Sequence, residues 1–196
     1  MMLVETLPNS VLDKIITAFG NASQPAYGQV ATVSAQGHPQ VRTVHLHYLE
    51  NMKSMAFGAH TRSSKWIELE GNKAFSGSYY SAYQLVQIRF QGEASLCPES
   101  SANDAVRKVL WSRMREEVRL AYWMDQEGVS FETQDLSTLK FPLENPTRTF
   151  GVVLCEPELW NVYELSPQHY VRGRCMVFKK AQGGWEIRRV SLLGNK

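Results

Sequence analysis

Five short runs rich in β-branched and aromatic residues, 29–35, 39–50, 53–59, 74–82 and 85–97, follow one another from Tyr27 onward with a single helical interruption. The turn residues Gln36-Gly37-His38-Pro39 separate the first two, so the pattern reads as an antiparallel meander. Four more runs, 149–156, 159–165, 172–180 and 184–191, carry Val, Leu, Phe and Trp and would complete a barrel. Helices are few. Pro8-Asn9-Ser10 offers capping chemistry, and Val11, Leu12, Ile15, Ile16 and Phe19 fall at helical spacing before Gly20. Ser63 to Glu70 sets Trp66 and Leu69 three apart and stops at Gly71-Asn72. Residues 101–124 read as one helix with Val106, Val109, Leu110 and Met114 on the buried stripe, and Arg107, Lys108, Arg113 and Glu117 off it. The expected fold class is mainly β with flanking helices, an antiparallel barrel.

At 196 residues and 43% hydrophobic content, the chain suffices for one domain, 1–196, with a sizeable core. Between Asp125 and Arg148 the pattern dissolves into acids, Ser, Thr and Pro, which suits a long surface loop placed as a lid. Basic and acidic residues nearly balance, 21 against 19, so no field commits the chain to nucleic acid or to a membrane surface. Cys97, Cys155 and Cys175 are odd in number and lack C-x-x-C spacing, which disfavours a disulfide framework and points to a reducing, cytoplasmic setting. The start, Met1-Met2-Leu3-Val4-Glu5, lacks the pattern of an export signal, and no stretch reaches the roughly 20 apolar residues of a membrane span.

Chemistry concentrates around the helical interruption. In Val41-Arg42-Thr43-Val44-His45-Leu46, Arg42 shares a strand face with Val44 and Leu46, so a guanidinium points where apolar side chains point and needs a partner. His60-Thr61-Arg62-Ser63-Ser64-Lys65 lies where a strand passes into a helix and offers two cations, hydroxyls and the free amides of a helix start. Phosphate suits that set. The alternative is a structural ion pair for Arg42 and solvated surface charges for Arg62 and Lys65. Gly58-Ala59 gives a strand end that a flat ring could approach closely, or simply a bulge. Val86, Ile88 and Phe90 alternate with Gln87, Arg89 and Gln91, so Gln87 either presents an amide to a heterocycle or faces solvent.

These residues resemble the FMN-binding half of pyridoxamine 5′-phosphate oxidases: Arg42-Thr43-Val44-His45-Leu46, Ser63-Ser64-Lys65, Asn72, and Gln87 followed by Gly92. The likeness resumes at Leu159-Trp160, Arg174 and Trp185-Glu186-Ile187-Arg188-Arg189 and is weakest over 100–148. The resemblance implies an FMN-binding split β-barrel, homodimeric, with flavin sites at the subunit interface, acting as an FMN-dependent oxidoreductase on a small-molecule redox substrate. By position, Arg42, Ser63 and Lys65 would hold the phosphate with Arg62 added. Thr43, Val44, Gly58 and Ala59 would line the flavin, and Gln87, Trp160 and Arg174 would meet the rest of it, in part from the second subunit. His47 stands where the family's first motif ends in lysine, and Ser64 where it has arginine. The family's vitamer-phosphate Tyr, Arg and Ser have no matching set across Leu110 to Val118, and Val171-Arg172-Gly173 lacks its Arg-x-His element. Turnover of a vitamin B6 phosphate is therefore not expected.

Two other classes compete. His45-x-His47 projects two imidazoles from one strand face, with His60 a possible third metal ligand, although a solvated pair is commoner. A flavin-binding protein without catalysis, a sensor or store, would carry the same cofactor residues.

Overall fold

The computed structural model of the chain describes residues 2–20, 25–100, 102–127, 144–168 and 173–190. Strands β1 (Met2–Val4), β2 (Ala26–Val33), β3 (Pro39–Leu49), β4 (Ser54–His60), β5 (Ala74–Ser81), β6 (Val86–Cys97), β7 (Phe150–Glu164), β8 (Arg174–Ala181) and β9 (Gly184–Val190) form one antiparallel sheet. Its order is β1-β9-β8-β7-β4-β3-β2-β5-β6, and β6 also pairs with β7. That last pairing closes β7-β4-β3-β2-β5-β6 into a six-stranded barrel, which removes two open edges. Strands β8, β9 and β1 extend from β7 as a flap.

The meander expected between Tyr27 and Leu96 is present, with strand ends shifted by a few residues. The two runs 149–156 and 159–165 are instead one strand. Pro157 and Glu158 only look like a break: the register with β6 slips there, from Gln91 opposite Leu159 to Gly92 opposite Pro157. On the other side of β7, pairing with β4 ends at Cys155 and pairing with β8 starts at Leu159. Pro157 therefore sits where it owes no ladder bond on that side. Gly92 permits the close approach, because a Cβ there would lie 2.6 Å from the Glu156 carbonyl oxygen.

Helix α1 (Asn9–Phe19) buries Val11, Ile15, Ala18 and Phe19. They join an interior cluster with Leu46, Phe57, Phe75, Phe90, Trp160 and Phe178 from the strands and with Trp66 and Leu69 of α2 (Ser64–Gly71). Outside the barrel wall, Leu110 and Trp111 of α3 (Asp104–Arg113) pack on Ala56, Phe150, Val152 and Leu154.

The single helix expected over 101–124 is two, α3 and α4 (Glu116–Glu127), separated by Met114 in an extended conformation (φ −79°, ψ 145°). The buried stripe also differs. Val109 is 42% exposed, whereas Arg107 is 2% exposed. Its guanidinium donates to the carbonyls of Phe150 (2.9 Å) and Thr147 (2.8 Å) and to Asp104 Oδ1 (2.6 Å). A fully paired charge at the root of β7 thus takes the place of an aliphatic contact. Of the loop expected over 125–148, Asp125–Glu127 belongs to α4, 144–148 has no regular structure, and 128–143 lies outside the described residues. No helix among the described residues is long and apolar enough to cross a membrane.

Candidate functional site

A cavity of about 480 Å³ lies between the outer wall of β2–β4 and the two helices α3 and α4. Its size is typical of small-ligand sites. Strand alternation builds one wall: Thr43, His45 and His47 face outward from β3, beside Tyr27 of β2 and Gly58 and His60 of β4. Lys65, in the first turn of α2, closes one end. Leu110, Arg113, Met114, Arg115, Val118 and Tyr122 form the opposite wall. The extended residue 114 matters here, because in a continuous helix residues two apart point about 200° from each other. The break lets Arg113 and Arg115 both reach the cavity.

The charges are arranged by burial. The rings of His45 and His47 lie against each other, centroids 4.1 Å apart and planes tilted by 43°. Burial, then the charges of His45 and Arg113, push His47 down to about 3. Burial and Arg115 lower His45. Both imidazoles are thus neutral at physiological pH, set between cations. Burial, then Arg42, lowers Lys65, while Glu68 opposes them. Burial pushes Tyr122 up to about 12, so its hydroxyl keeps its proton.

The rim is fastened on one side. His60 Nε2 lies 2.7 Å from Asp125 Oδ2, Arg62 Nη2 donates to the same oxygen at 2.7 Å, and the His60 ring stacks on Tyr122 at 5.9 Å. Since His60 Nδ1 accepts the Arg62 amide (3.0 Å), Nε2 carries the ring proton. The bond to His60 is the main cause holding the Asp125 carboxyl below its ordinary range; burial opposes it and Arg62 adds to it. His60, weighed as a metal ligand, is therefore engaged by a carboxylate.

The sequence model described as "Pyridoxamine 5'-phosphate oxidase, FMN-binding domain" matches residues 8–98, which span α1 through β6. A pyridoxine/pyridoxamine 5'-phosphate oxidase of Pseudoalteromonas translucida (strain TAC 125) is 30% identical over 181 residues, covering 87% of this chain and 82% of that protein. The chain belongs to the pyridoxamine 5′-phosphate oxidase family. A dihydrophenazinedicarboxylate synthase of Pseudomonas chlororaphis is 25% identical over 177 residues, covering 85% and 75%. The crystal structure of a pyridoxamine 5'-phosphate oxidase-related, FMN-binding protein from Nostoc punctiforme PCC 73102 shares the fold. Its TM-score is 0.74 at 18% identity, covering 96% of this chain and all of that one. The barrel is thus the family's FMN-binding split barrel.

Of the positions matched to this FMN-binding family, Thr43, Val44, Gly58, Ala59 and Lys65 line the cavity. Gly58 has a second reason to be glycine: a Cβ there would lie 2.7 Å from the Phe150 ring. Arg42 is not in the wall. It donates to Glu68 Oε2 (2.7 Å), to the Thr32 hydroxyl and to the Gln40 carbonyl (3.1 Å), which is the ion-pair alternative weighed from the sequence. Arg62 is engaged with Asp125, and the Ser63 hydroxyl donates to the His60 carbonyl (2.7 Å). Gln87, Trp160 and Arg174 lie elsewhere on their own chain. Gln87 pairs between Tyr80 and Tyr163, Arg174 is exposed opposite Glu164, and Trp160, 1% exposed, packs on Phe90 and Tyr48 in the barrel core.

Proposed function

We propose that this protein is a homodimeric, FMN-dependent oxidoreductase acting on a small anionic molecule in the cytoplasm. The observation that carries the reading is the charge pattern of one cavity. Lys65, Arg113 and Arg115 surround two neutral histidines, and no hydrogen bond or ion pair from these three side chains is found among the described residues.

The donor set fits FMN. The Lys65 ammonium and the amides of Ser64 and Lys65, for which no backbone acceptor is found among the described residues, would hold the phosphate with help from Arg62. Thr43, Val44, Gly58 and Ala59 would line the ring system. Gln87 and Arg174, outside the cavity of their own chain, would reach the flavin of a second protomer, which supports the dimer. When bound, the flavin accepts or donates a hydride equivalent, and the protein supplies orientation and electrostatics. Arg113 and Arg115 would hold the substrate's anionic group while Leu110, Met114 and Val118 exclude water. Three free, buried cysteines suit a reducing compartment.

Anaerobic titration of the FMN-loaded protein with NADH and NADPH, followed at the flavin absorbance, tests the redox role. Bleaching by either and reoxidation by air is the expected result. A bound flavin that neither nucleotide nor any small amine or alcohol reduces would make the protein a sensor or store.

A further inference from the structure

Six residues further along β3 than Arg42, a second cavity of about 330 Å³ opens between the N-terminal segment, the start of α1 and the flap. Its walls include the rings of Tyr48, Trp160 and Trp185, and its rim carries Glu5, Glu50 and Lys53. Tyr48 and Trp160 meet edge to face at 6.3 Å and 73° and are both buried, so Trp185, half-buried, is the most exposed of the three rings. Tyr48 is 6% exposed, and no hydrogen bond from its hydroxyl is found among the described residues, which leaves that oxygen to the cavity. The Glu50 carboxylate is close enough to add to burial in raising the Tyr48 hydroxyl above its ordinary range.

The electrostatics of this cavity favour a cation. Aromatic faces carry negative quadrupoles, and two rim carboxylates outnumber one ammonium. Glu5, Glu50 and Lys53 are all exposed, and no side-chain ion pair of any of them is found among the described residues. Lys53 lines the same rim, so its ammonium competes for the carboxylates without pairing with either of them. A metal ion is poorly served, since no group of three or more His, Cys, Asp or Glu side chains placed to hold one is found among the described residues. A weakly hydrated alkylammonium matches both parts, its methyl groups against the rings and its charge toward the carboxylates. We propose that this cavity binds an organic ammonium ion, at a site separate from the flavin cavity and independent of it.

The test is a titration of the full chain with choline and with its uncharged isostere 3,3-dimethylbutan-1-ol, read at the Trp185 indole NMR resonance assigned through Trp185→Phe. Choline should shift that resonance saturably, with a dissociation constant in the millimolar range, about −4 kcal/mol. Because the charge carries the recognition, the isostere should bind at least about threefold more weakly. The double variant Glu5→Gln/Glu50→Gln, altered only at exposed positions, should lose about threefold to tenfold in choline affinity. Absence of saturable shifts, equal affinity for the two probes, or an unchanged constant in the double variant would each overturn the proposal.

Discussion

His60 on β4 and Asp125 near the end of α4 are joined by a 2.7 Å hydrogen bond, and Arg62 reaches the same carboxylate oxygen. Sixty-five residues apart in sequence, the pair fastens the helix that carries Tyr122 and Val118 across the cavity. Asp125 is 44% exposed, so the bond is worth no more than about 1 kcal/mol to global stability. Asp125→Asn should leave the melting temperature nearly unchanged while speeding amide exchange in 116–127. Exchange there as slow as in the parent protein would show that apolar packing alone holds α4.

Arg42 and Glu68 provide a second test, because Glu68 stands between Arg42 and Lys65. Burial pushes the Glu68 carboxyl up, but its bonds to Thr32 and Arg42 and the charges of Arg42 and Lys65 outweigh this and hold it below the ordinary range. In Arg42→Ala that carboxylate would be left to neutralise Lys65. FMN affinity should fall by about one to two decades, against little change for the exposed Arg89→Ala. Glu68→Gln should tighten binding. Equal constants for the two arginine variants, by flavin fluorescence quenching, would show that Arg42 serves structure alone.

His47 should give the fold a specific acid sensitivity. Its folded pKa, about 3, lies below its unfolded value, so the unfolded chain binds more protons between those limits. Stability is intact above the unfolded value of about 6.5 and declines as pH falls toward the folded one, by about 2 kcal/mol between pH 6.5 and 5 from this residue alone. Urea denaturation of the parent protein and of His47→Asn across that range checks it. The parent should lose more stability than the variant; parallel curves would mean that His47 is accessible to protons in the folded state.

The same residue bears on substrate choice. Where the resemblance places a lysine, a neutral imidazole 4% exposed supplies no charge. Arg113 and Arg115 leave the cavity open to an anion, yet the loss of one cation disfavours a phosphate dianion. Oxygen-dependent formation of pyridoxal 5′-phosphate should proceed well below ~10⁴ M⁻¹s⁻¹, the lower edge of ordinary enzymes. A catalytic efficiency at or above that level would make this a vitamin B6 oxidase with a rearranged clamp.

The strand faces were legible because alternation is local: Val86, Ile88 and Phe90 are buried between half-buried or exposed Gln87, Arg89 and Gln91. Trp66 and Leu69 likewise announced the buried side of α2. What sequence could not show depended on distant partners. Arg107 is buried only because carbonyls from Thr147 and Phe150, forty and more residues away, accept its protons. The break at Met114 has no local marker, since methionine is a good helix former, and it alone brings Arg113 and Arg115 into the cavity. Pro157 misled in the opposite direction, marking a bulge where a strand end was expected.

The central claim is that Lys65 and the start of α2 hold the phosphate of FMN. Equilibrium dialysis of the purified protein against FMN, riboflavin and FAD, repeated with Lys65→Met, tests it most directly. FMN should bind most tightly and riboflavin, which lacks the phosphate, at least about tenfold more weakly, with that preference lost in Lys65→Met. Equal binding of riboflavin and FMN, an FMN preference that survives Lys65→Met, or no flavin retained at all would contradict it.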